Sequence, residues 1–137
     1  MADPKDVTGV WYGRWTSGSG NVLPNRFIAL LSESAGIVSG LISEPDLYDT
    51  AGTLHAIVHG SRNGAALAFT KQYDGSGRLA HAVAYRGTVS GDGTEVSGEW
   101  ALTRHSGAFV MTREVFTADE LEEAEEVELT VPLGETR

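Results

Sequence analysis

The sequence predicts an all-β chain, an eight-stranded antiparallel up-and-down β-barrel with a short acidic C-terminal helix or tail. Three observations carry this. Short apolar runs recur at nearly even spacing along the first 116 residues. Glycine-rich and serine-rich turns separate them, and 17 Gly against 4 Pro suits many tight reversals. In the later runs apolar and polar residues alternate with the period of two that a half-buried strand requires. Eight meandering strands can close on themselves and remove both exposed edges. The barrel is expected over residues 1–116 and the acidic segment over 117–137.

The expected strands are Gly9–Thr16, Arg26–Ser34, Gly36–Glu44, Thr53–Ser61, Ala65–Tyr73, Leu79–Ser90, Glu95–Thr103 and Gly107–Val115. Their connections are 17–20, Ser34-Ala35, Arg62-Asn63-Gly64, 74–77, 91–94 and His105-Ser106, with the longest at Pro45–Gly52. Strand seven alternates cleanly: Val96, Gly98, Trp100 and Leu102 share one face, Ser97, Glu99, Ala101 and Thr103 the other. Strand six sets His81, Val83, Tyr85 and Gly87 against Ala82, Ala84 and Arg86. Strand eight sets Gly107, Phe109, Met111 and Arg113 against Ala108, Val110 and Thr112. Strand two breaks the rule, since Phe27-Ile28-Ala29-Leu30-Leu31 is apolar on both faces. A second buried face explains this, and a homo-oligomer, dimer or tetramer, is expected. After the strands, Thr117 and Glu120 have the spacing of a helix capping box, which implies a short helix to about Glu126.

Charge narrows the partners. The net charge of −9 is concentrated at one end: residues 1–113 carry ten acids and nine bases, and residues 114–137 carry nine acids and Arg137. A near-neutral body with an acidic tail disfavours nucleic acid, which needs clustered Lys and Arg, and disfavours an anionic membrane surface. No stretch approaches a membrane-spanning helix. The absence of cysteine rules out disulfides, thiolate metal sites and a cysteine nucleophile. The opening MADPKDVTGV has neither the basic nor the apolar region of a signal peptide, which tilts the expected location toward the cytoplasm. His55 and His59 sit four residues apart, about 13 Å on a strand, too far to share a metal. No metalloprotease, phosphate-loop or nucleophile-elbow motif is present. No metal site and no cofactor is expected.

The order of motifs resembles the avidin/streptavidin family of the calycin superfamily, from about Val7 to Arg113. VTGVWYGRW resembles that family's opening strand and Ala35-Gly-Ile-Val-Ser-Gly40 its turn and third strand. Leu67-Ala-Phe-Thr and Val83-Ala-Tyr85 sit where the family has Trp-bearing strands. Glu95–Thr103 and Gly107-Ala-Phe-Val-Met-Thr resemble its seventh and eighth strands. The resemblance implies a ligand cavity at the barrel mouth. It also implies a closed end in which Trp11 packs beneath Arg113, a stack worth about 0.5–2 kcal/mol. It does not extend to biotin. The family's ureido-binding Asn, Tyr, Ser and Asp positions fall on Gly13, Ile42, Glu44 and near Gly107, and only Ser17 matches a loop serine. Each lost contact to a buried urea costs about 1–3 kcal/mol. The Trp lent by a neighbouring subunit has no counterpart, because Thr103–Ser106 is too short.

The expected cavity lining is Trp15, Ser17, Ile42, Glu44, Phe69, Lys71, Tyr73, His81, Tyr85 and Trp100. The aromatic members either line a pocket for an apolar or aromatic small molecule or simply fill a narrow barrel. Gly13, Gly87 and Gly98 are expected to leave room beside the rings. Lys71 and His81, with Glu44, either orient a ligand and move a proton or reach water at the mouth. Three functions stay open: a non-enzymatic small-ligand-binding barrel, a filled-barrel interaction module acting through an oligomeric face or the acidic tail, and a small cyclase or isomerase using the cavity.

Overall fold

The computed structural model describes residues 3–19, 23–47, 52–74 and 82–114. The expected helix at 117–126 lies outside the described residues, as do Leu79–His81. Eight strands follow in chain order: β1 (Gly9–Ser17), β2 (Asn25–Ser34), β3 (Ile37–Pro45) and β4 (Thr53–Asn63), then β5 (Ala66–Tyr73), β6 (Ala82–Val89), β7 (Glu95–Ala101) and β8 (Ser106–Thr112). Each pairs antiparallel with the next, and β8 returns to β1, so the barrel is closed. A closed eight-stranded antiparallel barrel is consistent with the expected calycin-like fold.

Register sets the tilt. One hydrogen-bonded row runs through Glu33, Val38, Gly60, Phe69, Tyr85, Trp100 and Gly107 to Ser17 on β1. On its other side β2 pairs Leu31 with Gly9, which places Glu33 level with Val7. One circuit therefore advances ten residues along β1, from 7 to 17. At the usual rise and strand spacing that advance inclines the strands by about 40°. The tilt carries side chains of one row from the closed end at Glu33 to the mouth at Ser17.

Two hairpin turns sit later in the chain than the sequence expectation. The β2–β3 turn is Ala35–Gly36, with φ of 51° and 81°, because a two-residue hairpin matching the strand twist needs both central residues left-handed. The β4–β5 turn is at 64–65, and Asn63 pairs with Ala66. The strand ends at β7 and β8 are shorter than expected, at Ala101 and Thr112.

Inward positions on every strand form one core, including Trp11, Phe27, Ile42, Val58, Leu67, Phe69, Tyr85, Val96, Phe109 and Met111. The two-faced run on β2 divides as its alternation requires. Phe27, Ala29 and Leu31 are buried, while Ile28 and Leu30 stand 44% and 49% exposed.

The closed end is built from the chain start. Val7 is fully buried and its carbonyl accepts the Trp11 indole N–H at 2.9 Å. The Arg113 guanidinium lies 4.4 Å from the Trp11 ring centroid. It donates to the carbonyls of Gly93, Thr8, Pro4 and Asp6. Its donors are thus directed at backbone, and burial lowers its pKa from the ordinary arginine value. Beside it, Arg62 grips Glu33 with two hydrogen bonds of 2.6 and 2.8 Å and reaches Asp3 at 3.0 Å. Glu33 also accepts the Val7 N–H. The contacts of residues 3–8 with Arg62, Glu33 and Arg113 plug this end.

Candidate functional site at the barrel mouth

The other end holds a buried charged cluster. Glu44 comes from the end of β3 and Lys71 from β5, both on inward positions of the alternation. Lys71 is fully buried and Glu44 is 2% exposed. The Lys71 ammonium and a Glu44 carboxylate oxygen form an ion pair. The same oxygen accepts the Tyr73 hydroxyl at 2.9 Å, and the other accepts the Asn25 amide at 3.0 Å. Asn25 also donates to the Pro45 carbonyl, which ties β2 to the end of β3. Lys71 further contacts the Tyr85 hydroxyl at 3.5 Å.

Three rings surround the ammonium, with centroids at 4.7 Å for Tyr73, 5.6 Å for Tyr85 and 5.7 Å for Phe27. Their faces supply cation–π stabilisation in place of water. Burial still pulls the Lys71 pKa below the lysine range, and the Glu44 charge opposes that. Burial, reinforced by Glu44, pushes Tyr73 and Tyr85 well above the phenol range. Both hydroxyls therefore stay protonated donors at neutral pH. Lys71 does not reach water, so the mouth-exposed reading of this residue is set aside.

Beneath and beside the cluster the barrel is packed with rings. Phe69 and Tyr85 stack at 4.9 Å, and Phe109 meets Tyr85 edge-on at 4.9 Å. The glycines do not leave the expected room. A Cβ at Gly13 would lie 2.2 Å from the Phe27 ring, so Phe27 occupies that space. At Gly87 the neighbours are Val96 and Phe109, and at Gly98 the backbone of β6. The glycines permit close ring and strand approach, and the deep interior is core.

The upper rim is formed by Trp15 and Trp100, whose rings meet edge-to-face at 5.8 Å. The Trp100 indole crosses the β8–β1 seam and donates to the Thr16 carbonyl at 2.9 Å. Gly107 is required for this, since a Cβ there would sit 1.8 Å from the Thr16 oxygen and 2.7 Å from the Trp100 nitrogen. The Trp15 indole nitrogen differs. It is buried and has no hydrogen-bond partner among the described residues. An indole N–H can only donate, and leaving it unpaired costs about 1–3 kcal/mol.

Of the residues expected to line the cavity, Glu44, Lys71, Tyr73 and Tyr85 come together, and Trp15 meets Trp100. Ser17 is inward-facing and half-buried on the last position of β1. Phe69 belongs to the ring stack. Ile42 is 1% exposed and pairs in register with Ala29 and Ala56, a core setting. His81 lies outside the described residues. Sequence reasoning missed Asn25, Phe27 and Phe109. Asn25 follows Pro24 and reads as turn chemistry, yet it opens β2 and faces inward. Among the described residues no group of three or more His, Cys, Asp or Glu could hold a metal ion. His55 and His59 point outward, and His55 lies 3.4 Å from the Ser43 hydroxyl.

The sequence matches no protein-family model and no curated protein.

Proposed function

We propose that the chain is a non-enzymatic small-ligand-binding barrel, avidin-like in the order of its motifs and different in its ligand. The carrying observation is the buried Trp15 indole N–H beside Trp100 at the barrel mouth, which has no partner among the described residues. The ligand is a flat aromatic or apolar molecule with a hydrogen-bond acceptor, seated against Trp15 and Trp100. The Glu44–Lys71–Tyr73 cluster forms a polar floor below it. The filled interior favours a shallow site, so the ligand is small. Biotin is disfavoured, because the positions that would meet its ureido group are Gly13, closed by Phe27, Ile42 in the core, and Glu44, already paired.

Tryptophan fluorescence titration against flat heteroaromatic compounds tests this. Saturable quenching is expected, and Trp15→Phe should weaken binding about 10-fold, as loss of one such hydrogen bond implies. Saturable binding that Trp15→Phe leaves unchanged would remove Trp15 from the site.

A second reading has its own support. Val10, Leu30, Leu41 and Ile57 lie in one register row across β1–β4, and each is 44–55% exposed. A contiguous apolar row on an outer wall suits a homo-oligomer contact. Leu30→Glu with Leu41→Glu should convert such an oligomer to a monomer in light scattering. A wild-type chain that is monomeric at millimolar concentration would rule the contact out.

A further inference from the structure

Next to that apolar row the outer wall carries a charged feature that the fold does not require. Arg14 on β1 and Arg26 on β2 are exposed and stand directly opposite each other in register. Like charges so placed destabilise a strand pair. Neither forms an ion pair with another described residue. The other in-register neighbour of Arg14 is Val110, which offers no countercharge. Both arginines line a groove on the outside of the barrel, together with Tyr12, Ile28, Val110 and Thr112. Tyr12 is 60% exposed, Ile28 44% and Val110 37%. The groove thus combines an apolar floor with two cations that no described residue neutralises. Because the barrel is closed, an occupant finds no strand edge and must bind through side chains.

We infer that this groove is covered by the chain's own C-terminal segment, residues 125–133. Charge complementarity is the first argument. The body through Arg113 carries a net −1 and the remainder −8, with five glutamates between 122 and 128. Pattern is the second. Val127, Leu129, Val131 and Leu133 alternate with Glu128, Thr130 and Pro132, so an extended stretch has one apolar side flanked by acids. Reach is the third. Thr112 itself lines the groove, and the described chain ends two residues later at Glu114. Ten linking residues, 115–124, span up to about 33 Å if extended and about 15 Å if helical. The groove lies only two strand spacings away, about 10 Å. The apolar side covers Tyr12, Ile28 and Val110, and the preceding glutamates answer Arg14 and Arg26.

The 137-residue chain has no cysteine, so a single Thr130→Cys carries a nitroxide in it without ambiguity. The expected result is at least twofold loss of amide signal at Tyr12, Arg14, Ile28 and Val110, and none at Ala68, Thr70 and Ala84 on the opposite wall. Arg14→Glu with Arg26→Glu should abolish that loss while the spectrum stays folded. Absent or uniform broadening, or broadening that survives the charge reversal, overturns the inference. In a mixture of unlabelled-isotope spin-labelled chain with isotope-labelled cysteine-free chain, broadening of the same amides would assign the groove to the segment of a second copy and equally overturn it.

Discussion

Removing Glu44 should make stability depend on pH in a way that removing Lys71 does not. In Glu44→Gln the Lys71 ammonium loses its countercharge while remaining fully buried among Phe27, Tyr73 and Tyr85. A buried lysine without a partner sheds its proton, because burial disfavours the charged form and no countercharge opposes it. The native variant then binds one proton fewer than its unfolded chain from about pH 7 to 10, so stability rises with pH. The slope is about 1.36 kcal/mol per pH unit. Neutralising an ordinary lysine costs about 4.6 kcal/mol at pH 7 and about 0.7 kcal/mol at pH 10. Glu44→Gln should accordingly be destabilised by about 3–5 kcal/mol at pH 7. It should regain most of that by pH 9.5. Lys71→Met lacks the titrating amine and should show a loss of about 3–5 kcal/mol without the upward slope. The double variant should lie within about 2 kcal/mol of wild type, since a neutral pair leaves no unpaired buried charge. Urea unfolding followed by tryptophan fluorescence between pH 7 and 9.5 measures all three. A Glu44→Gln deficit that stays constant with pH would refute a caged, dehydrated ammonium.

Other consequences follow from single positions. Gly107→Ala sets a Cβ against the Thr16 carbonyl and the Trp100 indole at the closing seam. It should cost about 2–4 kcal/mol in urea unfolding, from overpacking and the lost Trp100 hydrogen bond. Ala35→Asn should stabilise by about 0.5–1 kcal/mol, because Ala35 is held at φ 51°, a left-handed geometry that asparagine tolerates better. Tyr73 and Tyr85 have raised pKa values when folded, so above about pH 10 the unfolded chain loses protons that the native chain keeps. Stability must fall with pH there, and Tyr73→Phe should reduce that slope by about one proton. Absorbance titration at 295 nm should show these two phenols ionising only as the chain unfolds.

The barrel was legible because closure and alternation are local signals. Strand seven shows its inward face in every second residue, and Val96, Gly98 and Trp100 keep it. Leu79–His81 fall outside the described residues, and the turn at 35–36 shifted because strand twist selects hairpin geometry more narrowly than composition does. The site was legible only in part. Inward orientation of Glu44 and Lys71 follows from period two, but their meeting depends on the tilt, which comes from register around the whole circuit. The same tilt brings Asn25 to Glu44, a pairing that no local pattern contains. The glycine spaces misled for a related reason. Gly13 signals an absent side chain, and only the neighbouring strand reveals that Phe27 fills the gap. The closed end likewise hides its Arg62–Glu33–Asp3 network, because those residues lie 59 and 29 positions apart in the chain.

The most direct test of a ligand site at the mouth is the resonance of the Trp15 indole N–H during titration with flat heteroaromatic compounds that carry an acceptor. A saturable downfield shift of that proton is expected, while the Trp100 indole proton, already bonded to the Thr16 carbonyl, moves little. Binding that shifts neither indole proton, with changes confined to the outer wall, would contradict it.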